Sequence, residues 1–203
     1  AIDVFPVLST ESKMIIFDSH PRLCDIFRRS FPQMPVYGTR KCAQIQWINN
    51  HRDIDYQIEI GSLPKFLRKN EKDFEPWKKP YLLADPLLIE HYKRILDNYG
   101  NKPKIGISWR GGTPGTGAKH RKIPLELFLP IFDSIDADFI SLQYTEGAKE
   151  QIEQFQKKYP HIKIIHDQEM INDYDYTAAL VKNLDLIISV PQSVVHLAGA
   201  LGV

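Results

Sequence analysis

From Asp85 onward, short apolar runs alternate with segments whose apolar positions recur every three to four residues. The segment DPLLIEHYKRILDNYG (85–100) places Asp85 before Pro86 and ends on Gly100, the start and stop signals of a capped helix. KIGISW (104–109), DFISLQ (138–143), HIKIIH (161–166) and DLIISV (185–190) are of strand length and apolar. Between them, PLELFLPIF (124–132), GAKEQIEQFQKKY (147–159) and DYTAALVKN (175–183) read as helices, and QSVVHLAGAL (192–201) closes the series. Strands apolar on both sides and joined by short helical connections predict a parallel sheet covered on both faces.

Upstream the pattern is weaker. KMIIF (13–17) and PVY (35–37) are short strand candidates. PRLCDIFRRSF (21–31) sets Leu23, Ile26 and Phe27 on one helical face. YQIEI (56–60) alternates and predicts a strand, and Ser62 caps a short helix in SLPKFLRK. IDVFPVL (2–8) reads as the end of a helix, and 70–80 as a polar surface loop with two prolines. The expected organisation is a first lobe over 1–84, a connecting helix over 85–100 and a second lobe over 101–203. The chain opens without Met and stops at AGALGV as a helix ends, so a fragment of a longer protein is expected.

Composition narrows the function. Of 203 residues, 43% are hydrophobic and the net charge is +1, so the chain lacks the basic excess of a general nucleic-acid binder. Anion recognition must therefore be local. Cys24 and Cys42 have no metal-ligand spacing and are expected to be reduced and buried, as in a cytoplasmic protein. No apolar run reaches the roughly 20 residues that span a bilayer, and no signal peptide opens the chain.

The local candidate is WRGGTPGTGAKHRK (109–122), with four glycines, five basic residues counting His120, and no acid. It follows a strand, where doubly wound sheets bind ligands. Glycines let backbone N–H groups approach a phosphate, and Lys or Arg supplies countercharge. Two familiar templates fail. Gly112 and Gly117 have Walker A spacing, but Ala118 precedes Lys119 and His120 follows it, so the lysine is one residue late and the hydroxyl is missing. Gly115 and Gly117 begin a dinucleotide fingerprint that lacks its third glycine. A flexible surface loop with incidental charge stays open as an alternative. A second candidate is the start of the last helix, where Gln192, Ser193 and His196 share one end, and free N–H groups suit a phosphate. For His196 a core histidine is the other reading.

KIGISWRGG, RKIPLELFLPIF, FISLQ, DYTAALVKNLDLIISV and SVVHLAGALG occur in one order with short gaps. Together they resemble the C-terminal lobe of a GT-B glycosyltransferase, in particular the catalytic regions that follow tetratricopeptide repeats in many bacterial proteins. Those are relatives of the O-linked N-acetylglucosamine transferases and the lipopolysaccharide heptosyltransferases. DSHPRLCDIFRRSFP, YQIEIGSLPKFLR and PYLLADP resemble the later half of that family's first lobe. The resemblance covers most of 15–203 and implies an α/β GT-B-like fold: two Rossmann-like lobes with parallel sheets, both incomplete here. It implies an acceptor-side lobe over 1–84 and a donor nucleotide-sugar lobe over 101–203. On the donor side it implies Lys122 at the diphosphate, with Arg110, Gly111 and Gly112 in the loop beside it. Gln192, Ser193 and His196 would face the nucleotide-sugar, and Gln143 and Tyr144 the nucleoside base. Two departures stand out: Pro191-Gln192 where many relatives have Asp-Thr or Gln-Thr, and Tyr176 where relatives often have Asp. The family's Gly-Asp loop would end before Ala1, so no catalytic base is assigned, and the fragment itself is expected to be inactive.

The implied reaction is metal-independent transfer of a sugar from a nucleoside diphosphate to a glycan, lipid or protein hydroxyl, with no cofactor. Cations and helix-start N–H groups would stabilise the leaving diphosphate. Peripheral membrane association of the full protein fits such acceptors. Asp136-Ala-Asp138 and Asp173-Tyr-Asp175 match the DxD string of metal-dependent glycosyltransferases, but sit as turn and cap residues. Two rivals remain: a non-catalytic interaction module that keeps the fold, and a sugar-nucleotide epimerase of similar shape.

Overall fold

The computed structural model describes residues 8, 13–39, 45–51, 53–77, 80–112, 115 and 117–203. They form two compact units, Ala1–Leu83 and Ala84–Val203, both mixed α/β with parallel strands. Cys42 and the helix end expected at 2–8 lie outside the described residues, Leu8 aside.

In the first unit, β1 (Phe17–Asp18) pairs in parallel with β2 (Val36–Tyr37), and α1 (Cys24–Ser30) joins them. Pro21 fits the turn of 3-10 helix that precedes α1, because it needs no N–H partner there. Ile26 and Phe27 are buried as expected, and Phe17 meets Phe27 edge-on at 5.1 Å. Cys24 is buried and free, and burial pushes its thiol pKa up. The strand expected at 56–60 does not form: the segment is irregular, and Tyr56 is 93% exposed. Alternation alone cannot make a strand without a neighbour to accept its hydrogen bonds. A short helix follows at α2 (Leu63–Leu67), with no side-chain bond from Ser62, and the stretch read as a loop contains 3-10 helix over Glu71–Trp77.

The second unit opens with α3 (Pro86–Asp97), where the Asp85 carboxylate accepts the N–H groups of Leu87 and Leu88. Its sheet has the order β5–β4–β3–β6, all parallel, from β3 (Lys104–Ser108), β4 (Asp138–Ser141), β5 (Ile164–Ile165) and β6 (Leu186–Ser189). The connections carry α4 (Leu129–Ser134), α5 (Ala148–Lys158), α6 (Glu169–Asn172) and α7 (Tyr174–Lys182), and α8 (Ser193–Leu201) follows β6. The helix expected at 124–132 begins instead as 3-10 helix over Leu125–Phe128, and turns α at Leu129, where Pro130 sits in the first turn.

On one face of the sheet Ile105, Ile107 and Trp109 pack with Phe132, Ile152 and Phe155. Phe132 stands edge-on to Phe139 at 4.7 Å and to Phe155 at 5.8 Å. On the other face Gly106 leaves room for Leu142 and Leu184, whose methyls would lie 2.7 Å from a Cβ placed there. α7 packs on α3 and α8, with Ala178 to Val181 wholly buried. β6 departs from the expected double cover. It is an edge strand, and Leu186 is 47% exposed. At the amino end of the sheet, the buried Lys104 ammonium donates to the Asp138 carboxylate at 2.6 Å and to the carbonyls of Gly100 and Lys102. Among the described residues, no helix is long and apolar enough to cross a membrane.

Candidate anion site at the carboxyl end of the sheet

The chain leaves β3 towards β4 on one side, while β6 lies on the other side of β3. Their carboxyl ends thus flank a switch point, where the loops on either side turn away from each other and leave a crevice. The loop after β3 and the start of α8 border it.

Backbone bonds close the base of the glycine-rich loop. Ile123 N–H donates to the Trp109 carbonyl at 2.9 Å, Gly111 N–H donates to the Arg121 carbonyl at 2.8 Å, and Arg110 and Lys122 form an antiparallel bridge. Two cationic residues twelve positions apart in sequence are therefore neighbours. Residues 113, 114 and 116 lie outside the described set, and Gly117 leads into 3-10 helix over Ala118–His120.

Two glycines have distinct duties. Gly112 has φ +81°, a left-handed backbone that side chains resist. Gly111 lets the loop touch the start of α8, since a Cβ there would lie 3.0 Å from both Gln192 Cβ and the Pro191 carbonyl oxygen. Gly112→Ala should lower stability by about 1–2 kcal/mol. Gly115→Ala, where a Cβ meets open space, should cost far less. Urea denaturation of the two variants checks this, and equal midpoints would contradict the φ argument.

Gln143 holds the loop to the sheet. It is buried just past β4, and its Oε1 accepts from Ser108 Oγ (3.0 Å), Trp109 N–H (3.1 Å) and Arg110 N–H (2.8 Å). Its Nε2 donates to the Arg110 carbonyl (2.9 Å) and to Thr145 Oγ1 (2.8 Å). The expectation that Gln143 contacts a nucleoside base is therefore corrected: its polar atoms are all engaged within the protein. Tyr144 differs. It is 45% exposed and lines an open cleft of about 710 Å³ with Gly147 and His166. His166 is hydrogen-bonded through Nδ1 to Ser141 Oγ at 3.1 Å, its Nε2 is buried without a partner among the described residues, and burial pushes its pKa down.

Across the crevice, Gln192 is the buried N-cap of α8 but makes no capping bond, so the first-turn N–H groups keep no side-chain partner. Its Nε2 instead donates to Ser108 Oγ and Ser189 Oγ. Both hydroxyls give their own protons elsewhere, Ser108 to Gln143 and Ser189 to the Val190 carbonyl. That fixes the amide's orientation and leaves Oε1 buried with no partner among the described residues. Arg110 Nε is likewise buried and unpartnered, while its NH2 group donates to the Glu146 carbonyl at 3.3 Å. Lys122, Ser193 and His196 are exposed, so His196 is not a core histidine.

The structure thus joins Arg110, Gly111, Gly112 and Lys122 through the loop base, and brings Gln192 against Gly111. Ser108 is the member that sequence reasoning missed: its hydroxyl links Gln143 to Gln192 across the two strand ends. A serine inside an otherwise apolar strand was the available signal. The DxD aspartates have structural work. Asp136 pairs with Lys102 at 2.6 Å, Asp138 with Lys104, and Asp173 caps α7.

No family model matches the chain, and no solved structure matches it. It is 29% identical over 190 residues to Protein FlbA of Caulobacter vibrioides (strain ATCC 19089 / CIP 103742 / CB 15), a stretch that covers 89% of this chain and 31% of that protein. The chain thus spans about a third of this relative's length. These findings overturn the assignment to the GT-B glycosyltransferases: neither a family model nor a solved structure of that group matches, and the similar protein does not carry that name.

Proposed function

We propose that the second unit binds the diphosphate of a nucleoside-diphosphate sugar at the β3–β6 switch point, and that the full-length protein transfers the sugar to an acceptor hydroxyl without a metal. The observation that carries this reading is the closed loop base, which sets Arg110 beside Lys122 at the carboxyl end of β3, next to the uncapped start of α8. The chemistry is complementary. An unpartnered Arg110 Nε calls for an acceptor such as a phosphate oxygen, and an unpartnered Gln192 Oε1 calls for a donor such as a sugar hydroxyl. As the glycosidic bond breaks, charge grows on the diphosphate, and fixed cations and helix-start N–H groups stabilise it more than the ground state. Tyr144, in the open cleft, would meet the nucleobase. The first unit would serve the acceptor, a glycan, lipid or protein hydroxyl.

Calorimetric titration of the chain with UDP, GDP and ADP tests the binding step. Lys122→Ala should weaken it by about 1.5–3 kcal/mol, the scale of a charge-assisted hydrogen bond. Lys157→Ala, on the exposed face of α5, should leave it unchanged. Equal effects would remove Lys122 from the site. Absence of binding at millimolar nucleotide would favour an interaction module without catalysis.

A further inference from the structure

A second cavity in the same unit, about 360 Å³, lies among α3, α6 and α7, away from the β3–β6 crevice. Its lining is sorted by chemistry. Leu88, Ile95 and Met170 supply aliphatic surface. Tyr92 and Tyr176 supply aromatic surface, with ring centroids 6.3 Å apart at 65°. Asp167 and Glu169 supply carboxylates, both exposed and without an ion pair among the described residues. His91, exposed, completes the mouth and stands edge-on to Tyr92 at 5.2 Å.

Tyr92 distinguishes this cavity from a chance hollow. It is only 5% exposed, lines the cavity and makes no hydrogen bond through its hydroxyl among the described residues. The hydroxyl is thus left to water or to a ligand in the cavity. Burial, then the neighbouring Tyr176 and the carboxylates of Asp167, Asp173 and Glu169, push its pKa up to about 12. The hydroxyl therefore keeps its proton and offers a lone pair in a field that repels anions.

The geometry points to a site for an organic ammonium ion with an aliphatic stem. The stem would lie on Leu88, Ile95 and Met170, and the ammonium against the Tyr92 and Tyr176 rings. Its N–H groups would reach the Tyr92 oxygen and the Glu169 and Asp167 carboxylates. Aromatic faces attract such cations through the ring quadrupole, and more strongly where water is excluded. A nucleotide or another anion does not fit this field. The inference is independent of the proposed transferase function. The shared chemistry admits two sources, a lysine side chain carried by a protein or a free polyamine.

NMR titration of the chain with Nα-acetyl-lysine methyl ester, spermidine and Nα-acetyl-norleucine methyl ester tests it. The two ammonium compounds should shift resonances of Met170 and Tyr92 in a saturable way, while the uncharged norleucine compound should not. The tighter of the two ammonium compounds identifies the source. Tyr176→Ala and Glu169→Gln, both at exposed positions, should each weaken binding about three- to tenfold. The site is disproved by norleucine binding as well as lysine, by absence of any saturable shift, or by variants that bind as the parent does.

Discussion

Gln143→Leu is expected to cost about 3–5 kcal/mol in stability and to abolish nucleotide binding, though Gln143 touches no ligand. Leucine is close in volume, so the loss comes from polar groups rather than from a cavity. The substitution leaves the N–H groups of Trp109 and Arg110 and the Arg110 carbonyl without their side-chain partner, and Ser108 Oγ without its acceptor. These groups are buried or half-buried, and each costs about 1–3 kcal/mol when left unpaired. Loss of the clasp also unfastens the loop base, with Arg110 on it, from the end of β4. Gln143→Glu sharpens the test. It keeps the acceptor for two N–H groups but loses both donor bonds of Nε2, so it should retain more stability than leucine. Denaturant unfolding with nucleotide titration of both variants measures this. A Gln143→Leu variant that folds and binds normally would refute the clasp.

Some of this molecule was legible in the chain because its causes are local. α3 needs only Asp85, Pro86 and a periodic face, all within a few residues, and it forms with that cap. The exposure of His196 was also readable. Val194, Leu197, Ala198 and Leu201 recur at helical spacing and are buried, which turns position 196 outward. What failed depended on partners distant in sequence. The segment at 56–60 alternates as a strand should, but no neighbour pairs with it. β6 looks as apolar as β3, yet it lies at the sheet edge, and strand order is not written in composition.

The candidate site divides in the same way. Arg110 and Lys122 could be named from charge and position, but their adjacency arises from backbone bonds across the loop base. Gln143 was misassigned because its residue type suits a ligand contact as well as a backbone clasp. Only burial and the direction of its five bonds separate the two. The family resemblance also failed to hold, while the parallel sheet inferred from alternation did not depend on it.

The amino end of the sheet provides the counterpart. Lys104→Ala is expected to destabilise the second unit by about 3–5 kcal/mol and to leave nucleotide binding intact. The Lys104 and Asp138 side chains are only 9% and 15% exposed, so removing the ammonium strands a carboxylate with little water to replace it. It also strips two carbonyls, those of Gly100 and Lys102, of their donor. Asp138→Leu combined with Lys104→Met removes both charges and should recover most of the loss, because a buried pair contributes little beyond its own desolvation. β3 spans about 13 Å from Lys104 to Ser108, so the pair and the crevice are at opposite ends of one strand. The two ends then make opposite predictions. Damage at Gln143 should remove stability and binding together. Damage at Lys104 should remove stability alone, measured at a temperature where the variant remains folded. If Lys104→Ala weakened nucleotide binding as much as Lys122→Ala, the anion site would not be confined to the carboxyl end of the sheet.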